Sequence, residues 1–130
     1  MIRYMVQLFG SGTRWDEEIA EYSPEQFRAM VAHMGRINKD LAAAGELVEA
    51  RGLAGPAKVL SVRARDGEPP LVTEGTHDGR ETLLAGYWVV DVASAQRAIE
   101  IAARVSAAPG PGDSHNFPVE LHEVPAQPPH

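Results

Sequence analysis

The side chains best able to do chemistry gather in residues 72–92, VTEGTHDGRETLLAGYWVVDV. Glu74, His77 and Asp78 stand close together in its polar first half. One imidazole and two carboxylates are donors that a divalent metal accepts, with His33 or His115 available as a second imidazole. Their spacing matches no established metal motif, so no metal is assigned. A polar loop that is solvated, or that lines a ligand cleft, accounts for them better. Tyr87 and Trp88 follow on an apolar segment, where successive side chains point to opposite faces of a strand. A single cleft can therefore hold only one of the two. Glu74, His77, Asp78 and Tyr87 are the candidate ligand-binding residues. Arg3, Tyr4, Arg63 and Arg65 are further candidates, since a guanidinium can clamp a carboxylate, although strand arginines more often serve solubility.

Several chemistries are excluded. There is no cysteine, which removes disulfides, thiolate metal sites and a cysteine nucleophile. No GxSxG elbow, phosphate loop or dinucleotide fingerprint occurs, and no cofactor is called for. Lys and Arg number 12 against 18 Asp and Glu, a net charge of −6. That balance lacks the basic surface that displaces counterions from a phosphate backbone, so nucleic acid is not an expected partner. No apolar run nears the roughly 18 residues of a membrane span. The first residues lack the basic region and apolar core of a signal peptide. A cytoplasmic protein without a membrane partner is expected.

The elements that must position these residues read as follows. Residues 2–9, IRYMVQLF, form a strand with apolar side chains on both faces. Residues 10–22 are polar and acidic around Trp15, a surface loop with room for one helical turn. Ser23-Pro24-Glu25-Gln26 is a helix start, with Ser as cap, Pro at the first position and Gln closing a capping box. Phe27, Met30, Val31, Met34, Ile37 and Leu41 give that helix an apolar stripe, His33 lies at its edge, and Gly45 stops it. A strand at 47–50, a strand at 59–65, the turn pair Asp66-Gly67 and a short returning strand at 69–73 come next. Gly10, Gly12, Gly52 and Gly55 read as scattered turn glycines. In the strand 84–92, Trp88, Val90 and Val92 face one way and Tyr87, Val89 and Asp91 the other. Ser94 caps a second helix whose buried stripe is Ala98, Ile99, Ala102 and Val105. A last strand covers 117–122.

With 130 residues and 44% hydrophobic content, one globular domain over residues 1–124 is expected, followed by a disordered proline-rich tail at 125–130. The order of elements predicts an α+β fold, a mostly antiparallel sheet with two helices on one face. The strands at 2–9 and 84–92 carry apolar residues on the opposite face as well. A second copy is the simplest cover for such a face, so a homodimer is expected.

The segments MIRYMVQLFG, SPEQFRAMVAHMGRINKDLAAAGELVEARGLAGP, VTEG, AGYWVVDVASAQRAIEIAARV and VELHEV occur in that order along the chain. Together they resemble the YCII-related family, in the branch named for a DGPF motif. The resemblance implies a ferredoxin-like unit that dimerises as an α+β barrel, with the hairpin as an insertion. It departs at the signature itself. Glu74-Gly75-Thr76-His77 stands where the branch has Asp-Gly-Pro-Phe, and Asp78-Gly79-Arg80-Glu81-Thr82 where it has Ala-Glu-Thr-Lys-Glu. His33 matches the family's helix-one histidine, and Asp91 its acidic position after the aromatic strand. The resemblance thus implies His33 and Asp91 as a catalytic acid/base pair. A carboxylate fixes an imidazole's tautomer and raises its pKa from about 6.5, which suits proton transfer near neutrality. The function implied is a dimeric small-molecule-binding protein, or an acid/base enzyme of lyase, isomerase or hydrolase type. The alternative is a non-catalytic accessory module linked to sigma-factor control of transcription, since some members are encoded beside such factors.

Overall fold

The computed structural model describes residues 1–77, 81–112 and 114–126. Among the described residues, six strands and three helices follow in the order β1 (Ile2–Ser11), α1 (Trp15–Ala20), α2 (Pro24–Ala43), β2 (Leu47–Gly52), β3 (Leu60–Arg65), β4 (Glu68–Glu74), β5 (Thr82–Val92), α3 (Ala95–Ser106) and β6 (Val119–Glu123). A 3₁₀ turn, Pro56–Lys58, leads from β2 towards β3.

The ends of the two long helices follow from local chemistry. Ser23 Oγ accepts from the Gln26 amide at 3.0 Å, and Gln26 Oε1 accepts from the Ser23 amide at 2.8 Å. Two otherwise orphaned donors of α2 are thereby satisfied. Gly45, at φ +71° just past α2, takes the left-handed conformation that turns the chain into β2. The side chain of Ser94 caps α3 by accepting from the Arg97 amide at 3.2 Å. Helix α1 forms where the sequence suggested a surface loop. Asp16, Glu17 and Glu18 occupy its first turn, where the helix dipole favours negative charge. Arg14 spans the helix, reaching Glu17 at 2.9 Å and Glu21 at 3.2 Å.

The main sheet has the order β2-β5-β1-β6, and every pairing is antiparallel. This arrangement is α+β and consistent with a ferredoxin-like fold. Strand β5 is central, holding β1 on one side and β2 on the other. Strands β3 and β4 form a separate two-stranded sheet turning at Asp66-Gly67, with Gly67 at φ +70°. Its apolar side chains stay out in solvent, Leu60 at 63% and Val62 at 64% exposure.

The core lies on one face of the main sheet. Val6, Trp88, Val90 and Val92 from the sheet meet Ile37 and Leu41 of α2 and Ala98, Ile101, Ala102 and Val105 of α3. Fully burying a Val, Leu or Ile contributes roughly 1.5–3 kcal/mol each. One expectation needs correcting here. Ile99 is 52% exposed and Ile101 is fully buried. Positions 98, 101, 102 and 105 fall on one stripe of a 3.6-residue helix, and 99 is turned about 100° away from 98.

The other face of the sheet carries Arg3, Met5 and Gln7 on β1, Tyr87, Val89 and Asp91 on β5, Glu49 and Arg51 on β2, and Glu120 and His122 on β6. None of these is fully buried. The proline-rich end beyond residue 126 lies outside the described residues. No helix among the described residues is long and apolar enough to cross a membrane.

Candidate functional site

A cleft of about 880 Å³ opens on the helix side, at the end of the sheet where β1 finishes and β5 begins. Each wall comes from a different element. Strand β1 supplies Leu8 and Phe9, α1 supplies Trp15 and Ile19, α2 supplies Met30, Met34 and Asn38, and β5 supplies Gly86 and Trp88. Val105 at the end of α3 and Phe117 before β6 complete the apolar lining. The volume and the apolar character both suit a small organic ligand.

Some of the polar groups in and around the cleft are held in place by hydrogen bonds. Trp88 is 6% exposed and its Nε1–H donates to Asn38 Oδ1 at 2.7 Å. That bond satisfies the buried indole and fixes the Asn38 amide orientation. Gln26 Nε2 donates to the Gly112 carbonyl at 2.6 Å, so the α2 capping residue also anchors the loop on that wall. The rings of Tyr22 and Phe27 meet edge to face with centroids 5.9 Å apart. Burial, and then the nearby Glu18 carboxylate, push the Tyr22 hydroxyl above its usual pKa.

Trp15 owes its position to two glycines. A Cβ on Gly10 would lie 2.6 Å from its ring, and a Cβ on Gly55 would lie 2.5 Å from its Nε1. The indole is slotted between the end of β1 and the loop after β2, where no larger residue fits without displacing it. The sequence reading took Gly10 and Gly55 for turn glycines. Their role is to seat Trp15.

The candidates drawn from the sequence lie elsewhere. His33 sits on α2, and its Nε2 is 2.7 Å from the Arg104 carbonyl in the last turns of α3. A carbonyl only accepts, so Nε2 carries the proton and the imidazole staples the two helices together. Asp91 makes a two-pronged pair with Arg3, at 2.8 Å to Nε and 3.0 Å to Nη2. The Arg3 hydrogen bond holds its carboxyl below the usual range. Val90 and Val92 on either side of Asp91 enter the helix-side core, so the carboxylate projects from the opposite face of the sheet. The structure does not bring His33 and Asp91 together as a pair.

Tyr87 is also on that opposite face, aligned with Gln7 on one side and Arg51 on the other. Its neighbour Trp88 is the one that lines the cleft. Glu74 is exposed at the end of β4, aligned with Leu60. His77 lines a separate groove of about 490 Å³ with Ser61, Val62, Arg63, Leu71 and Thr73. Asp78 lies outside the described residues. Among the described residues, no three of His, Asp and Glu converge as metal ligands. Among the described residues of the polar loop around 74–82, Glu81 and Thr82 reach the main cleft. Gly75 has φ +92°, its N–H donates to the Val59 carbonyl at 2.8 Å, and its carbonyl accepts from Ser61 Oγ at 2.7 Å. Gly75 is thereby fastened to the base of the hairpin.

The YCII-related domain model matches residues 15–111. The chain belongs to the YCII-related domain family. No curated protein matches it significantly. The matched stretch of this YCII-related domain begins at Trp15 and ends at Pro111, and both residues line the cleft. Trp15, Met30, Met34, Asn38 and Phe117 are the lining residues that sequence reasoning passed over. The visible signal was that Met30 and Met34 are flexible, polarizable side chains one helical turn apart in the stripe.

Proposed function

We propose that this YCII-related domain is a small-molecule-binding protein whose ligand occupies the tryptophan-lined cleft, and that it works as a homodimer. The observation that carries the first part is the cleft itself, about 880 Å³ with apolar walls and the fixed Asn38–Trp88 bond at its base. Such a site orients a ligand with a few placed polar groups and holds it by apolar burial. Acid/base chemistry by His33 with Asp91 forms no part of the proposal, because each is committed to a different partner. Within the family, we assign the chain to the DGPF-type branch with an altered signature loop. The positive φ of Gly75 supports this, since it explains why glycine is kept there while its neighbours differ.

The second part rests on the open sheet face. Among the described residues, Gln7 Oε1 is the buried side-chain acceptor with no hydrogen-bond partner. It is aligned between Tyr87 and Glu120, and Met5 and Val89 lie next along the strands. A buried acceptor left unmade is costly. A second copy packed face to face covers Met5, Tyr87 and Val89, which a single protomer leaves partly exposed.

The ligand assignment has a direct test. Trp15 and Trp88 are the chain's two tryptophans and both line the cleft, so emission excited selectively at tryptophan reports on the cleft. Amphipathic aromatic fragments are expected to shift that emission saturably and to raise the melting temperature together. A fragment set that stabilises the protein without touching the emission would place binding elsewhere and defeat the assignment.

A further inference from the structure

From the charge arrangement at the cleft mouth we infer that the ligand is a neutral or cationic aromatic amphiphile, and that organic acids are rejected. This rests on the cleft being the ligand site. The deep end is apolar, formed by Trp88, Val105 and Ala108, all buried, with Met30 and Met34 beside them. Among the described residues, the lining groups charged at neutral pH are Arg14, Glu18, Glu21, Arg51 and Glu81. Each cation already faces a carboxylate of its own. Arg14 already donates to Glu17 and Glu21, and Arg51 Nε lies 3.4 Å from Glu49. Counting those partners, five carboxylates surround two guanidiniums. Glu18 and Glu81 have no cationic partner among the described residues.

The Glu18 charge acts on the cleft, since it adds to the rise in the Tyr22 pKa. The chain's net charge of −6 acts in the same direction at longer range. Trp15, Tyr22 and Trp88 add aromatic surface, and the negative face of such a ring attracts a cation and disfavours an anion. A ligand that places its ring between Met34 and Trp88 leaves its polar end among Glu18, Glu21 and Glu81. An ammonium or hydroxyl is stabilised there. A carboxylate is repelled.

Three probes of one shape separate the possibilities: 4-phenylbutylamine, 4-phenylbutanol and 4-phenylbutyrate, titrated at neutral pH against the full chain. Calorimetry gives the affinity, and tryptophan emission shows that the cleft is the place. The amine and the alcohol are expected to bind, with the butyrate weaker than the amine by about tenfold or more. Glu18→Gln combined with Glu81→Gln is expected to narrow that gap from both sides. Both sites are partly or fully exposed, so an unchanged melting temperature certifies the fold of the variant. Equal binding of all three, or tightest binding of the butyrate, overturns the charge rule and leaves the cleft assignment standing. Binding of none overturns the cleft assignment and the charge rule with it.

Discussion

The Glu46 carboxylate accepts from Arg97 Nε at 3.0 Å and Nη2 at 2.9 Å, tying the end of α2 to the first turn of α3. The Arg97 hydrogen bonds outweigh desolvation and lower the Glu46 pKa from 4.5. A carboxyl with a depressed folded-state pKa stabilises fully above its unfolded value. That contribution is lost as pH falls through the folded value. Between about pH 5 and about pH 3 the melting temperature should therefore drop, and Glu46→Gln should flatten the drop. An unchanged slope in the variant would show that the pair contributes nothing. Asp91 shifts in the same direction through Arg3, but solvent reaches that pair and screens it. At this scale the sequence was only partly legible. Period-two alternation separated Tyr87 and Asp91 from Trp88, Val90 and Val92. It could not say which set the helices cover, and the pairing of Asp91 with a histidine on α2 depended on that choice. The slot for Trp15 was not legible, because Gly10 and Gly55 meet only in the folded chain.

Helix α2 shows how far pattern carries at the scale of an element. Its start was legible to the residue because a capping box is local chemistry, and both of its hydrogen bonds form. Its stripe was legible as one apolar band, yet the band divides by position. Ile37 and Leu41 are fully buried, Met30 and Met34 line the cleft, and Phe27 and Val31 are 44% and 51% exposed. Ile37→Ala should accordingly cost roughly 2–5 kcal/mol, through lost burial and the cavity left behind. Val31→Ala should cost well under that, and urea melts of the two variants decide it. Equal costs would mean that the band packs uniformly and that the cleft is filled. Helix α1 was legible only as room for one helical turn in a surface loop, because six residues give no period to detect. The hairpin of β3 and β4 was legible from Asp66-Gly67, since the turn requires the positive φ that Gly67 adopts.

The whole molecule is a sheet with two unlike faces. One buries the core and ends in the cleft. The other presents Met5, Gln7, Tyr87 and Val89 with charges around them. Strands apolar on both sides were visible in the sequence, and the expectation of a second copy came from them. Sedimentation velocity should find a dimer, and Val89→Glu should sediment as a monomer with an unchanged circular dichroism spectrum. A monomeric parent protein would contradict this use of the face and leave the cleft untouched. The cleft is the central claim, and nuclear magnetic resonance tests it most directly. With two tryptophans in the chain, the indole N–H region holds one signal from each wall of the site. On titration with 4-phenylbutanol, both signals should move saturably, together with the amides of Met30, Met34 and Gly86. Indole signals that stay fixed, or shifts that cluster around His77 and the hairpin, would contradict the account.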